Sequence, residues 1–314
     1  MQGSRSPANP VADYWDANRE KVRDPAFWMA HPLCRRAINR RVSGDMHEWP
    51  LDWFKRVYGA SRFEHGVSWG CGLGAFERAA IRIGLVSRID AFDISPESLE
   101  DARRAAADEG IAQIAYGVGD FNAPDLPEGR YDIVFFHQSL HHVAQLELLF
   151  AEVRRGLKPG GAIYVDEYVG PSRKHWSPEH LEGAQRVLDG VPAGAKLRTT
   201  LVPPIEQDDP SEAIRSDEIP SFLRDNCDIV AWRPYGGQIV DLVFPCVARD
   251  WTESNDGLRS VDEMLALEED QLLADPASTH HLVAYGRLSA AGRRVSARSA
   301  GWLDRLVRRV WGGR

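Results

Sequence analysis

Apolar and polar positions along this chain change period repeatedly, and each change marks an element. RFEHGVSW at 62–69 reads as a short strand, and residues 75–83 carry helical spacing. RIDAFDI at 88–94 reads as a second strand. Ser95 then offers a side-chain cap, with Pro96 at the first helical position, and opens a helix that Gly110 closes. IAYGV, YDIVFF and AIYVDEYV supply three more strands; NAPDLPEG is a loop, 143–156 a helix and LKPGG a turn. Strands alternating with helices predict right-handed crossovers and a mostly parallel sheet buried on both faces. The expected fold class over 62–169 is therefore α/β.

On either side the pattern differs. Residues 11–61 hold Tyr14, Trp15, Phe27, Trp28, Trp49, Trp53 and Phe54 between breaks at Pro25, Pro32 and Pro50. That is too aromatic for a solvated linker and predicts a cover of short helices. Residues 1–10 are expected to be disordered. After the fifth strand, 170–215 is interrupted by prolines, fits neither strand nor long helix, and is expected to project from the carboxyl edge as a substrate lid. A short helix at 216–224, a strand at CDIVAWRPY, an acidic helix at 260–274 and a last strand at HLVAYGRL follow. Residues 290–314 read as a basic linker and an amphipathic helix, with Trp302, Leu306 and Trp311 on its apolar face. Such a helix suits either a membrane surface or docking on protein.

Composition narrows the class. With 314 residues, 43% hydrophobic and 27% charged, collagen, wholesale disorder and low-complexity scaffolds are out. At roughly 150 residues per domain, the length suits about two domains or one with insertions. No apolar run reaches the ~18–20 residues of a spanning helix. The expected location is cytoplasmic, with peripheral contact at the inner membrane face open through the terminal helix. Cys34, Cys71, Cys227 and Cys246 are scattered and read as free thiols without a zinc or disulfide frame. The net charge is −8, yet from residue 287 onward eight arginines face one acid, Asp304, leaving −15 on the preceding body. An acidic body argues against nucleic-acid binding. A small-molecule or saccharide substrate is the expected partner, and a homodimer is compatible.

The chemistry concentrates after the first strand. Gly70, Gly72 and Gly74 permit a tight turn that brings backbone close to a ligand, and the following helix presents free N–H groups to it. Alone, this loop also fits the dinucleotide fingerprint G-x-G-x-x-A, with Ala75 last. Asp93 ends the second strand 19 residues beyond Gly74, where a carboxylate can accept both ribose hydroxyls. Asp120 follows the third strand within reach of an adenine amino group, and Phe121 offers its ring to the purine. His137 ends the fourth strand ahead of SLHHV.

In order and spacing, GCGLG, AFDIS, GVGDF, YDIVFFHQSLHHV and LKPGG resemble class I S-adenosylmethionine-dependent methyltransferases of the bacterial small-molecule type, over 62–169. The resemblance implies a Rossmann-like, seven-stranded sheet with one antiparallel strand and helices on both faces. It places the methyltransferase domain at 62–289, with CDIVAWRPY and HLVAYGRL as its last strands, and implies S-adenosyl-L-methionine as cofactor. By position, Gly70, Gly72 and Gly74 would line the methionine and ribose end. Asp93 with neighbouring Ile94 would hold the ribose, Asp120 and Phe121 the adenine, and His137 the cofactor's face. The family usually carries an acid two places before the first glycine. Here stands Ser68, which can bond the cofactor's ammonium without opposite charge and predicts weaker affinity.

Methyl transfer to a hydroxyl benefits from a general base. The candidates are His141, His142 and Glu167, with Asp166 and Tyr168 on the opposite strand face from Glu167. Glu167 is the preferred contact to substrate. No metal site is expected, because His141 and His142 would diverge on a helix. Tyr14 and Trp15 are candidate covers for the cofactor and Arg41 a candidate contact to its carboxylate; Arg173, Lys174, His175 and Trp176 suit a polyhydroxyl acceptor. Each also has a purely structural reading. The expected activity is methyl transfer to a small-molecule or glycan acceptor, by O-methylation of a saccharide, glycolipid or natural-product hydroxyl. The rivals are a nicotinamide-dependent oxidoreductase and a non-catalytic cofactor-binding partner protein.

Overall fold

The structure is a computed structural model and describes residues 10–18, 27–59, 63–201 and 209–289. The expected disorder at 1–10 falls outside these residues except for Pro10, and the basic linker and helix at 290–314 fall outside them entirely. In chain order the elements are α1 (Pro10–Asn18), α2 (Pro32–Ser43), α3 (Pro50–Tyr58), β1 (Phe63–Trp69), α4 (Ala75–Arg82), β2 (Val86–Asp93), α5 (Pro96–Asp108) and β3 (Ile114–Val118). There follow β4 (Tyr131–His137), α6 (Leu146–Gly156), β5 (Leu157–Tyr168), α7 (Pro178–Gly190), α8 (Ile219–Asn226) and β6 (Cys227–Gly236). The last are α9 (Val240–Val243), α10 (Arg249–Thr252), α11 (Asn255–Ala274) and β7 (His281–Leu288).

The seven strands form one sheet in the order β3-β2-β1-β4-β5-β7-β6. Only β7 runs antiparallel to its neighbours. This is the Rossmann-like α/β sheet that the sequence leads one to expect, with both late strands in it. Strand alternation explains burial on both faces. Ile133 and Phe135 of β4, with Ala162 and Tyr164 of β5, enter the cluster that also contains Trp53, Phe54 and Val261. Val134, Phe136, Ile163 and Val165 enter the other, with Leu149 and Val153 of α6 and Leu223 of α8. Helix α3 packs on the first of these clusters: Phe54 lies 4.8 Å from Tyr164 and 4.9 Å from Tyr285.

Chain order reverses between β1 and β4, so the loops leaving their carboxyl ends part and open a crevice there. That crevice positions the site.

Four expectations need correction. The helix placed at 143–156 begins only at Leu146, after a separate 3-10 turn over Leu140–His142. LKPGG is not a free turn: Leu157 already pairs with Tyr131, so β5 starts there, with a register shift before Ile133. The lid holds a 13-residue helix, α7, where prolines had suggested irregular chain. Pro178 sits in its first turn, where proline has no bond to lose, and Ser177 Oγ accepts from His180 N at 3.2 Å. The acidic helix starts at Asn255 rather than at 260, capped by Ser254.

Candidate active site

The glycine loop is held from beneath by Asp93. Its Oδ2 accepts from Gly72 N at 2.8 Å and its Oδ1 from Ser95 N at 2.9 Å, so one carboxylate ties the loop after β1 to the turn around Ile94. Burial pushes its pKa up and the backbone donors pull it back. Gly74 has φ +69, and a Cβ there would meet Tyr116 Oη at 2.4 Å. Gly72 differs: with φ +50, a Cβ on it would meet nothing within 4 Å. Its outer face borders open space, as a ligand cradle requires. A Cβ on Gly70 would strike Ser139 at 2.5 Å and approach the Phe121 ring at 3.4 Å. Asp120 Oδ1 accepts from Asn122 N at 2.8 Å and fixes the turn after β3. His137 stacks on Phe76 at 4.7 Å and stays half-exposed. The expected cofactor residues thus lie along the carboxyl ends of β1 to β4, around one crevice.

Ser68 is fully buried and donates to Glu77 Oε1 at 2.5 Å. Glu77 lies in the first turn of α4, is 1% exposed, and its Oε2 has no hydrogen-bond partner. Burial raises its carboxyl to about 7, against the pull of Ser68. A carboxylate from the next element thus stands beside Ser68. Sequence reasoning missed Glu77 because its spacing from Ser68, nine residues across a loop, marks no contact. The residues fit a ligand that ends in an ammonium, since Glu77 Oε2 is a buried carboxylate oxygen without a hydrogen-bond partner.

Helix α1 lies over this region. Asp16 Oδ1 accepts from Ser95 Oγ at 2.5 Å and from Glu97 N at 3.3 Å, at the start of α5. Trp15 meets the His142 ring edge-on at 5.3 Å, and Tyr14 meets Trp15 at the same distance. Arg41, by contrast, is not near the crevice. It is buried against Glu268 Oε2 (3.1 Å), Glu269 Oε2 (2.9 Å) and the carbonyls of Tyr235 and Leu265. Its cofactor reading is corrected to a strut between α2 and α11.

At the end of β5, Glu167 is taken up by protein hydrogen bonds, where a contact to substrate was expected. Its Oε2 accepts from Ser139 N (2.8 Å) and Leu140 N (2.6 Å), and its Oε1 from Tyr168 N (2.8 Å) and from His141 Nδ1. No lone pair is left over for a substrate. These bonds pin the 3-10 turn, and in it the His141 and His142 rings do not diverge: their centroids are 4.0 Å apart. Burial opposes a charge on His141, but Glu167 raises its pKa; burial and His141 lower that of His142 to about 4.

From the lid, Glu212 brings Oε2 to 3.7 Å from His141 Nε2, and Lys174 Nζ holds Glu212 Oε1 at 2.7 Å. Arg173 instead braces the lid backbone at the Pro210 and Glu212 carbonyls, while Trp176 is buried in the core. His175 is held through its backbone, its N–H donating to Ser172 O at 3.1 Å. Gln138, directly after β4, holds φ +51, an unusual conformation for a non-glycine residue. Its Nε2 donates to Asp166 O at 3.2 Å and to Tyr235 Oη at 3.2 Å. Farther out, Gln238 and His281 are buried with side-chain atoms lacking hydrogen-bond partners, and Tyr168 packs edge-on against His281 at 5.3 Å. Among the described residues, no helix is long and apolar enough to cross a membrane.

Comparison with known proteins agrees with this fold. Residues 67–165 match the family model described as "Methyltransferase domain". A Yarrowia lipolytica protein named "Sterol 24-C-methyltransferase" is 30% identical over 127 residues, 39% of this chain and 33% of that protein. An Oryza sativa subsp. japonica protein named "Probable tocopherol O-methyltransferase, chloroplastic" is 26% identical over 129 residues, 39% of this chain and 35% of its own. The chain spans about a third of the length of these curated relatives. Among solved structures, Haemonchus contortus phosphoethanolamine N-methyltransferase 2 in complex with S-adenosyl-L-methionine aligns with TM-score 0.51 and 15% identity. That alignment covers 92% of this chain and 61% of the other, a likeness of fold.

Proposed function

We propose that this chain, a class I S-adenosylmethionine-dependent methyltransferase by its fold and its matched domain, moves a methyl group to an oxygen of a polar small-molecule or glycan acceptor. When bound, the sulfonium cofactor supplies an electrophilic methyl, which needs a desolvated nucleophile held in line with it. The chain's residues divide the remaining work. Asp93 holds the glycine loop in shape, Glu77 keeps a carboxylate oxygen ready for the ammonium end, and Gly72 leaves the face open. Asp16 and Trp15 bring α1 over the crevice and keep water out.

The observation that carries the oxygen-directed reading is the turn after β4. Glu167 fixes His141 so that its Nε2 faces Glu212. A hydroxyl docked there meets a fixed polar cluster able to take up its proton, which neutral amine and carbon acceptors need less. The unpaired Gln238 and His281 groups support a polar acceptor, such as a saccharide, glycolipid or natural-product hydroxyl, over a purely apolar one.

The test incubates the protein with isotopically labelled cofactor and cell extract, then locates the label by mass spectrometry. An O-methyl product is expected. A label on nitrogen or carbon refutes the acceptor reading. Tight NAD(H) binding without any S-adenosylhomocysteine binding, read by calorimetry, refutes the methyltransferase reading itself.

A further inference from the structure

The lid sets two carboxylates over the turn that carries the paired histidines. His141 Nε2 is 3.7 Å from Glu212 Oε2, while His142 Nδ1 is 3.9 Å from the same oxygen and 3.9 Å from Asp209 Oδ2. The ligand atoms of His141, His142 and Glu212 all lie within 4.8 Å of one another. A point between atoms so spaced is roughly 2–3 Å from each, against metal–ligand distances of about 2.0–2.2 Å in nitrogen and oxygen sites. A small contraction closes the difference.

The outer atoms of three of these side chains are already secured. His141 donates Nδ1 to Glu167, Glu212 Oε1 receives Lys174 Nζ at 2.7 Å, and Asp209 Oδ1 accepts from Ser211 N (2.8 Å) and Ser211 Oγ (2.6 Å). Outer partners of this kind orient metal ligands and fix a histidine's tautomer. The inner atom of Asp209 is the opposite case. Asp209 is 1% exposed, and its Oδ2, aimed toward His142, has no hydrogen-bond partner. A buried, unpaired carboxylate oxygen is costly and calls for a cation. Three carboxylates, Glu167, Asp209 and Glu212, surround the two imidazoles.

We propose that His141, His142 and Glu212, with Asp209 as fourth ligand, form a binding site for a divalent first-row transition-metal ion on the acceptor side of the crevice. Two imidazoles and two carboxylates favour zinc, cobalt or manganese over magnesium, which prefers an all-oxygen shell. To enter the shell, His142 Nδ1 gives up its 3.1 Å contact with Ser211 Oγ. Metal and acceptor proton would compete for His141 Nε2 and Glu212 Oε2, so the site is a separate property of this cluster, measurable with neither cofactor nor acceptor present.

The test dialyses the full chain against EDTA, then titrates it with Co²⁺ and with Zn²⁺, following calorimetric heat, visible absorption and metal content. One ion per chain is expected, with d–d bands appearing on Co²⁺ addition. Glu212→Gln and His142→Ala should each weaken Zn²⁺ at least tenfold, while His47→Ala, on the exposed surface, should not. Absence of stoichiometric uptake overturns the proposal, and so does uptake indifferent to both Glu212→Gln and His142→Ala. S-adenosylhomocysteine titration of the EDTA-treated protein keeps the two readings apart. Binding there with no Co²⁺ uptake removes only the metal site, whereas metal uptake without nucleoside binding removes only the methyltransferase reading.

Discussion

Replacing Glu77 with glutamine separates two effects that a carboxylate at this place must have. The side chain keeps its size, and its amide oxygen can still accept from Ser68 Oγ, 2.5 Å away in the wild type. What disappears is the charge. In the ligand-free protein, burial raises the Glu77 pKa from 4.5 to about 7. A raised carboxyl contributes stability that is present below its unfolded value and is lost as pH rises through about 7. Glu77→Gln removes that loss, so the ligand-free variant should be more stable than wild type at pH 8, by up to a few kcal/mol. Cofactor binding should move the other way. An ammonium at Oε2 makes a charge-assisted bond worth about 1.5–3 kcal/mol, so S-adenosylhomocysteine should bind roughly 10- to 150-fold more weakly. Wild-type affinity should also rise with pH toward 7 and then level off, because the ligand selects the ionised carboxyl; the variant should show a flat profile. Calorimetry with S-adenosylhomocysteine and with 5′-methylthioadenosine, which lacks the amino-acid end, checks this between pH 6 and 8.5. Equal loss for both ligands, or for neither, refutes the assignment. A lower melting temperature for the variant at pH 8 refutes the electrostatic account.

Gly72→Ala should cost about 1–2 kcal/mol for its φ of +50, yet weaken S-adenosylhomocysteine at least tenfold, because the new methyl occupies open space that no protein atom fills. Undiminished affinity in calorimetry would put the nucleoside elsewhere. Arg41→Met leaves Glu268 buried without its 3.1 Å partner, and should cost about 3–5 kcal/mol in urea unfolding with nucleoside affinity intact at low temperature; a selective loss of affinity would return Arg41 to the cofactor. Asp16→Ala removes the bonds from α1 to Ser95 and Glu97. Losing about 1 kcal/mol of cover should speed nucleoside release about fivefold in stopped flow, and an unchanged rate would show that α1 does not act as a lid.

The sheet was legible because burial on both faces demands near-continuous apolar runs, and YDIVFF and HLVAYGRL have them. Their bounds in the structure, Tyr131–His137 and His281–Leu288, differ from the expectation by at most a residue. The lid helix was misread because proline was weighed only as a breaker. In SPEHLEGAQ the same residue marks a start, preceded by a serine whose hydroxyl caps the turn. LKPGG was misread for a related reason. Its glycines announce irregular backbone, which is present at Gly160 with φ +75, but a bulged strand satisfies that signal as well as a turn does.

The layout of the candidate site was legible where the backbone sets it and obscure where side chains cross between elements. Gly70, Gly72, Gly74 and Asp93 follow from the requirements of a tight loop and a strand-end carboxylate, which leave few alternatives in one dimension. Glu77 and Glu167 do not, because each acts through a partner whose distance in sequence is set by the fold: Ser68 across the glycine loop, and His141 on the neighbouring strand's exit. The histidine pair makes the point most sharply. The rule that adjacent residues diverge holds for an α-helix, and it failed here because the backbone at 140–142 is a single 3-10 turn. That turn is tied by the Ser139 and Leu140 N–H groups to one carboxylate on β5, and the same carboxylate takes His141 Nδ1. Tertiary hydrogen bonds therefore chose both the local backbone and the side-chain direction. An arrangement chosen that way has no short-range signature.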